Sequence, residues 1–292
     1  MGKTLSRIDR RVVKCYTKVV KSTKREVFMS VAIITGASSG IGAEFARQLA
    51  MRGADELWLV ARRRDRMEKL GQQIGVKYKV IEADLAGDEG IEAVLSVLSE
   101  EKPEVGFFVN AAGFGDFGGF DELPREDYMR MIDVNVKATV ALTHAVIPYM
   151  KKGGRIVTLG SGSAFTPLPY FNVYASGKAF VLHYTKALNY EIKKYGLRAT
   201  CFCPGWVHTE FIDKATDNKG VTMPRRGAFH PLLDCERVVR GCIRAAERGK
   251  SMYVTGLFTK FQHVAYKLLP DSVLTRAWLA MLESPRKRER GK

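Results

Sequence analysis

Apolar positions along the chain alternate between two periods. Ser30-Val-Ala-Ile-Ile-Thr35 is a short β-branched run of the kind that forms a buried strand. Ala43-Glu-Phe-Ala-Arg-Gln-Leu-Ala50 then takes up helical spacing. The exchange repeats: strands are predicted at 57–60, 78–82, 107–110, 155–160, 197–203 and 252–255, and helices at 64–74, 89–100, 125–150, 174–195 and 235–248. Strands separated by helices of this length predict an α/β protein with a parallel, doubly wound β-sheet. No internal repeat or low-complexity linker interrupts residues 29–256, which read as one domain.

The two ends read differently. Residues 1–28 form a basic N-terminal extension, with Ile8, Val12, Cys15, Tyr16, Val19 and Val20 spaced as on an amphipathic helix. Packing on the core or a second subunit, contact with an anionic membrane surface, and an organelle address all remain open for it. Met1-Gly2-Lys3-Thr4-Leu5-Ser6 also fits the myristoylation pattern, too short a match to carry weight. Residues 257–292 form a C-terminal extension of two amphipathic stretches broken at Pro270 and a basic tail from Pro285.

Charge and composition narrow the class. The net charge is +16 over 292 residues, and residues 1–30 carry nine Lys/Arg against two Asp/Glu. Charge gathered at two ends, rather than along a groove, speaks against nucleic acid as a partner. The chain is 46% apolar with no uninterrupted apolar run long enough to cross a membrane. Five cysteines without a C-x-x-C pair read as reduced thiols, so a cytoplasmic location is expected, with peripheral membrane contact through the basic ends as the alternative. No metal site is expected.

Three stretches carry candidate chemistry. Gly36-Ala-Ser-Ser-Gly40-Ile-Gly42 sits between the first strand and the first helix, where a pyrophosphate can rest on a helix N-terminus. The arrangement predicts a Rossmann-type dinucleotide fold. After the second strand the chain reads Arg62-Arg63-Arg64, whereas the acids Asp55 and Glu56 precede it. An acid after that strand would suit the ribose hydroxyl of NAD, and arginines suit the 2′-phosphate of NADP. A cationic cluster at a helix start opposes the helix dipole and calls for an anion. Tyr174 and Lys178, four residues apart on a predicted helix, share one face. An ammonium there is expected to lower the phenol pKa and make Tyr174 a usable acid and base.

On Thr35-Gly-Ala-Ser-Ser-Gly-Ile-Gly42, Asn110-Ala-Ala-Gly113, Asn135, Ser161, Tyr174-x-x-x-Lys178 and Pro204-Gly-x-x-x-Thr209, the chain resembles the classical short-chain dehydrogenase/reductase family from about Val31 to Thr255. The resemblance implies that Tyr174 exchanges the proton, that Ser161 hydrogen-bonds the reacting oxygen, and that Lys178 binds the nicotinamide ribose. It implies that Asn135 holds a water in a proton relay. Gly36, Ser38, Ser39, Gly40, Ile41 and Gly42 would approach the cofactor phosphates, with Arg62 and Arg63 nearby. Asp84 and Asn110 would sit beside the adenosine half and Thr209 would reach the nicotinamide carboxamide or phosphate, with Leu85, Ala111, Gly113, Pro204, Gly205 and Val207 also binding the cofactor. Ser163 offers a second serine at the same strand end, but the thirteen-residue spacing to Tyr174 favours Ser161.

The substrate walls are drawn from Phe114, Phe117, Ser161, Tyr174 and Trp206, an apolar set suited to a hydroxysteroid or ketosteroid. The expected activity is NADP(H)-dependent interconversion of a secondary alcohol and a ketone on a lipophilic small molecule, in a homo-oligomer. A 3-oxoacyl reductase, and a silent dinucleotide-binding sensor or scaffold, are the competing readings. A nucleotide-sugar epimerase or dehydratase would need another glycine spacing and a larger C-terminal domain.

Overall fold

A computed structural model describes residues 30–216, 221–225 and 232–283. The amphipathic segment expected within 1–28 and the basic tail from Pro285 lie outside the described residues. The strands are β1 (Val31–Thr35), β2 (Glu56–Ala61), β3 (Lys77–Glu82), β4 (Val105–Asn110), β5 (Met150–Leu159), β6 (Arg198–Cys203), β7 (Met223–Pro224), β8 (Met252–Val254) and β9 (Leu282–Glu283). Seven of them make one parallel sheet in the order β3-β2-β1-β4-β5-β6-β8, while β7 and β9 pair antiparallel on their own. The chain leaves β1 toward β2 on one side and returns to β4 on the other. A crevice therefore opens at the carboxyl ends of β1 and β4, where doubly wound sheets bind ligands.

Helices cover both faces. On one lie α1 (Gly40–Met51), α2 (Arg64–Ile74) and, from far along the chain, α8 (Cys235–Glu247). On the other lie α3 (Asp88–Glu101), α5 (Ala138–Val146) and α6 (Asn172–Glu191). Central strands bury both faces, which is why Ile33, Ile34, Leu57, Leu59 and Phe108 are fully enclosed although they alternate in direction. Each such side chain contributes about 1.5–3 kcal/mol relative to exposure.

The single helix predicted over 125–150 is not one helix. It divides into α4 (Arg125–Ile132), a π turn over Asp133–Lys137, α5, and a 3-10 turn over Ile147–Tyr149, and Met150 already belongs to β5. The π turn keeps helical backbone but shifts the phase of the residues after it, so the apolar pattern runs through it unbroken. β5 accordingly begins five residues earlier than 155.

At the C-terminal end, α7 (Glu210–Thr216) comes after β6, and α9 (Leu257–Leu268) and α10 (Asp271–Ala280) come after β8. Pro270, which cannot continue a helix, separates the last two and caps α10. Trp278 of α10 folds back over the crevice edge, its indole N–H donating to the Pro169 carbonyl at 2.8 Å. Among the described residues no helix is long and apolar enough to cross a membrane.

Candidate active site

The crevice is built from strand ends and the turns that leave them. Thr35, the last residue of β1, is fully buried and accepts from the backbone N–H of Ala111 at 3.1 Å and of Ala112 at 3.0 Å. Its hydroxyl also donates to Asn110 Oδ1 at 3.1 Å, and Asn110 Nδ2 donates to the Thr139 carbonyl at 3.1 Å. This network locks the ends of β1 and β4 together beneath the crevice floor. Asn110 is thus spent inside the protein at 2% exposure, where the adenosine side had been expected for it. Thr35 received no role from the sequence, although it stands directly before the glycine turn.

The glycine turn is closely packed. Gly36 has φ +68°, and a Cβ on it would lie 2.9 Å from the Ala111 carbonyl oxygen. Gly42 sits against the Gly36 carbonyl, which leaves no room for a side chain there either. The start of α1 just beyond has Ser39 at its N-cap with no side-chain hydrogen bond to the helix and no acid in the first turn. By contrast, α3 carries Asp88 and Glu89 in its first turn, and α4 carries Glu126 and Asp127. The positive end of α1 is left to an external anion.

Arg63 lies beside this turn. Its Nη2 donates to Ser38 Oγ at 3.0 Å and Ser39 Oγ at 2.7 Å, and its Nε reaches Ser38 Oγ at 3.2 Å. Arg62 and Asp84 line the same cavity; Asp84 is held below its usual pKa, burial notwithstanding, by the Ala86 N–H and the Arg130 guanidinium. Of the three adjacent arginines, Arg63 is the one engaged with the glycine turn.

Farther along the crevice, α6 brings Tyr174 and Lys178 to the end of β5. Both are buried, at 7% and 2% exposure, with the Lys178 Nζ 5.5 Å from the Tyr174 ring centre and donating to the Leu159 carbonyl at 2.7 Å. The nearby Ser161 hydroxyl favours the Tyr174 phenolate. Burial nevertheless dominates and pushes the phenol above its ordinary range. The expected lowering by Lys178 is therefore corrected: in the free protein the phenol holds its proton. Burial also pushes the Lys178 ammonium down to about 8, with the Cys201 and Cys203 thiols beneath it offsetting part of the shift. Those thiols, 3.6 Å apart, press against Gly160, where a Cβ would meet both sulfurs.

Ser161 caps the 3-10 turn of residues 162–165 by accepting from the Ser163 N–H at 3.1 Å, which leaves its own proton free to donate. Ser163 Oγ is buried without a hydrogen-bond partner and does not bond Tyr174. Asn135 stands in the π turn at 1% exposure; its Nδ2 donates to the Phe114 carbonyl at 2.8 Å and its Oδ1 accepts from the Phe114 N–H at 3.2 Å. Both ends of the amide hold the loop after β4 in place. A Cβ on Gly113 would lie 2.5 Å from Asn135 Oδ1 and 3.2 Å from Lys178 Nζ, so a glycine there lets the three groups meet.

One continuous cavity of about 1770 Å³ joins the phosphate end to the tyrosine end. Its walls include Phe114, Trp206, Phe211, Leu257 and Trp278, together with Leu85, Val207 and Thr209. Phe117, expected as a substrate wall, does not line it: the ring is fully buried and stacks on Phe171 with 4.0 Å between centres. The loop carrying it is closed by Glu122, whose carboxylate accepts from the Thr222 N–H at 2.8 Å and the Thr222 hydroxyl at 2.6 Å. Asp116, half-buried at the cavity wall, has its carboxyl raised by burial and by Asp127. Among the described residues no group of His, Cys, Asp and Glu is placed to hold a metal ion.

Comparison with known proteins bears on this arrangement. Residues 30–220 match the family described as short chain dehydrogenase. An uncharacterized oxidoreductase of Staphylococcus epidermidis is 34% identical over 185 residues, which is 63% of this chain and 80% of the relative. A short-chain dehydrogenase from Sphingobium yanoikuyae solved in complex with NADPH superposes with a TM-score of 0.69 at 28% identity, over 82% of this chain and 94% of that one. L-sorbose reductase from Gluconobacter frateurii, complexed with NADPH and L-sorbose, gives 0.67 at 26% identity, over 80% and 97%.

Proposed function

Because the chain belongs to the short chain dehydrogenase family and is an oxidoreductase of that type, we propose that it uses NADP(H) to interconvert a secondary alcohol and a ketone. One observation carries the reading: Ser161, Tyr174 and Lys178 line the same cavity as the Arg63–Ser38–Ser39 cluster. The glycine turn, the uncapped α1 start and Arg63 fit a dinucleotide whose adenosine ribose carries a phosphate, and two similar structures hold NADPH. When bound, that cofactor supplies or accepts the hydride.

The chain's own residues manage the proton. In reduction Ser161 donates a hydrogen bond to the carbonyl oxygen of the substrate, and Tyr174 gives its proton to the same oxygen as charge develops there. Burial suits Tyr174 to this role, since the resting phenol is fully protonated. The Lys178 ammonium, still cationic at neutral pH, stabilises the phenolate that remains. Asn135 acts as a positioning residue through the Phe114 backbone, which holds Gly113 open. In oxidation the same groups work in reverse.

The substrate we propose is lipophilic, a hydroxysteroid or ketosteroid. Phe114, Leu168, Trp206, Phe211 and Trp278 make the tyrosine end of the cavity largely apolar. A 3-oxoacyl substrate is the second candidate, favoured by exposed Leu257 and Phe261 at the cavity rim. The same rim supports peripheral membrane contact: Leu257, Phe261, Val264 and Leu268 follow helical spacing along α9 and are all exposed, with Lys260 and Lys267 between them. Homo-oligomer formation is supported by exposed Phe180 on α6 and Met129 and Ile132 on α4. We assign 29–256 as the catalytic domain and 1–28 and 257–292 as extensions.

Titration with NADPH and NADH, followed by ketone-dependent NADPH consumption, tests the reading. Wild type is expected to prefer NADPH, and Tyr174→Phe to bind it equally while losing turnover by about 10³-fold or more. Binding of neither cofactor would favour the silent-scaffold alternative. Near-full turnover in Tyr174→Phe would remove the proposed proton donor.

A further inference from the structure

The arginines at the start of α2 already hold an anion, and it comes from the protein itself. Glu210, the first residue of α7, places Oε2 2.9 Å from Arg63 Nη1 and Oε1 2.5 Å from Arg66 Nη1. It reaches them across 147 and 144 positions of sequence, and like Arg63 it lines the cavity. Hydrogen bonding to Arg63, and then to Arg66, holds its carboxyl below the usual range, so it is ionised at neutral pH. Neither residue is deeply buried: the Arg63 and Glu210 side chains are 28% and 41% exposed, which leaves the pair open to competition from a solvated anion.

The same guanidinium presents its remaining N–H groups to Ser38 and Ser39. A ribose 2′-phosphate resting on this turn would seek the donors that Glu210 now occupies, and the two anions would repel each other across one guanidinium. We propose that Glu210 is a specificity-determining residue: it competes with the 2′-phosphate of the cofactor for Arg63 and Arg66, and ties α7 to α2 until the phosphate displaces it. The inference rests on the NADP(H) reading above and adds a cost to it. The acid weakens binding of the phosphorylated cofactor while coupling that binding to release of the α7 wall, which also carries Phe211 of the substrate end.

Calorimetric titration of 2′,5′-ADP and 5′-ADP separates the phosphate from the rest of the cofactor. Glu210→Gln is expected to bind 2′,5′-ADP about 5- to 30-fold more tightly than wild type, with 5′-ADP changed less than about twofold, and the gain should shrink in high salt. Backbone amide exchange over residues 210–216 should rise when 2′,5′-ADP is added to wild type and already be raised in free Glu210→Gln. Unchanged or weaker 2′,5′-ADP binding in Glu210→Gln would overturn the competition and make the acid an orienting partner of Arg63. Exchange that does not respond to 2′,5′-ADP would overturn the tie. Failure of the cofactor reading looks different: wild type would bind 2′,5′-ADP no better than 5′-ADP. If Glu210→Gln then acquired a preference for 2′,5′-ADP, the competition would stand without that reading; if it acquired none, both would fall.

Discussion

Gly113 sets the tolerance of the catalytic end at the scale of single atoms. A methyl group there would crowd Asn135 Oδ1 and Lys178 Nζ together, and neither is on a free side chain, since both are buried and hydrogen-bonded. Gly113→Ala is expected to lower kcat by about 100-fold or more while circular dichroism stays native, because displacement of about 1 Å at reacting groups has that cost. The pH response of Lys178 can be signed in advance. Its ammonium titrates at about 8 in the folded protein against 10.5 for an unperturbed lysine, so between those values the unfolded chain keeps a proton the folded chain has lost. Raising the pH through that window favours the folded state. Wild type should therefore gain stability relative to Lys178→Met as urea unfolding is repeated from about pH 7.5 to about 9.5; a difference that stays flat would contradict the buried ammonium. Tyr174 and Lys178 were legible in the sequence because their spacing alone places them on one helix face. The sign of the Tyr174 shift was not, because it depends on how completely the helix is covered, and periodicity does not measure that. Phe117 departs from expectation for a related reason: an aromatic in a loop after a strand reads the same whether it faces the cavity or Phe171.

At the scale of elements, the order of strands and helices was legible from where apolar spacing switched from one period to the other. The π turn was not. Its five residues, Asp133–Lys137, remain helical in hydrogen bonding and composition, yet they divide what reads as one helix and carry Asn135 into the protein. Such turns recur at functional sites, and only the backbone reveals them. The tie between β1 and β4 was equally hidden, since Thr35 and Asn110 are 75 residues apart. Thr35→Val keeps the shape but removes the hydroxyl that serves Ala111, Ala112 and Asn110. It should cost about 1–3 kcal/mol in unfolding free energy, with a smaller loss for Thr35→Ser, which restores the hydroxyl. Equal stability of Thr35→Val and wild type would mean that the network contributes little.

Across the whole molecule, the sheet order explains why residues as far apart as Gly36 and Thr255 converge on one cavity: strand ends on both sides of the β1–β4 gap feed it. The charge distribution and apolar rim belong to this scale too. Phe261→Glu combined with Leu268→Glu places two acids on the exposed stripe of α9. Flotation with vesicles containing anionic lipid should recover wild type and lose the double variant; equal recovery would shift any membrane contact to the basic ends. The substrate was not legible at this scale, because the wall is assembled from residues as distant as Phe114 and Trp278, and the shape they enclose is a property of the packed chain. One buried feature also supplies a clock for the molecule's breathing. Cys201, Cys203 and Cys242 are fully shielded under the catalytic strand ends, whereas Cys235 is partly accessible. A thiol reagent can modify the enclosed three only when β6 and its neighbours part, so their slow phase of alkylation, set against the faster Cys235, reports how often the floor of the site opens.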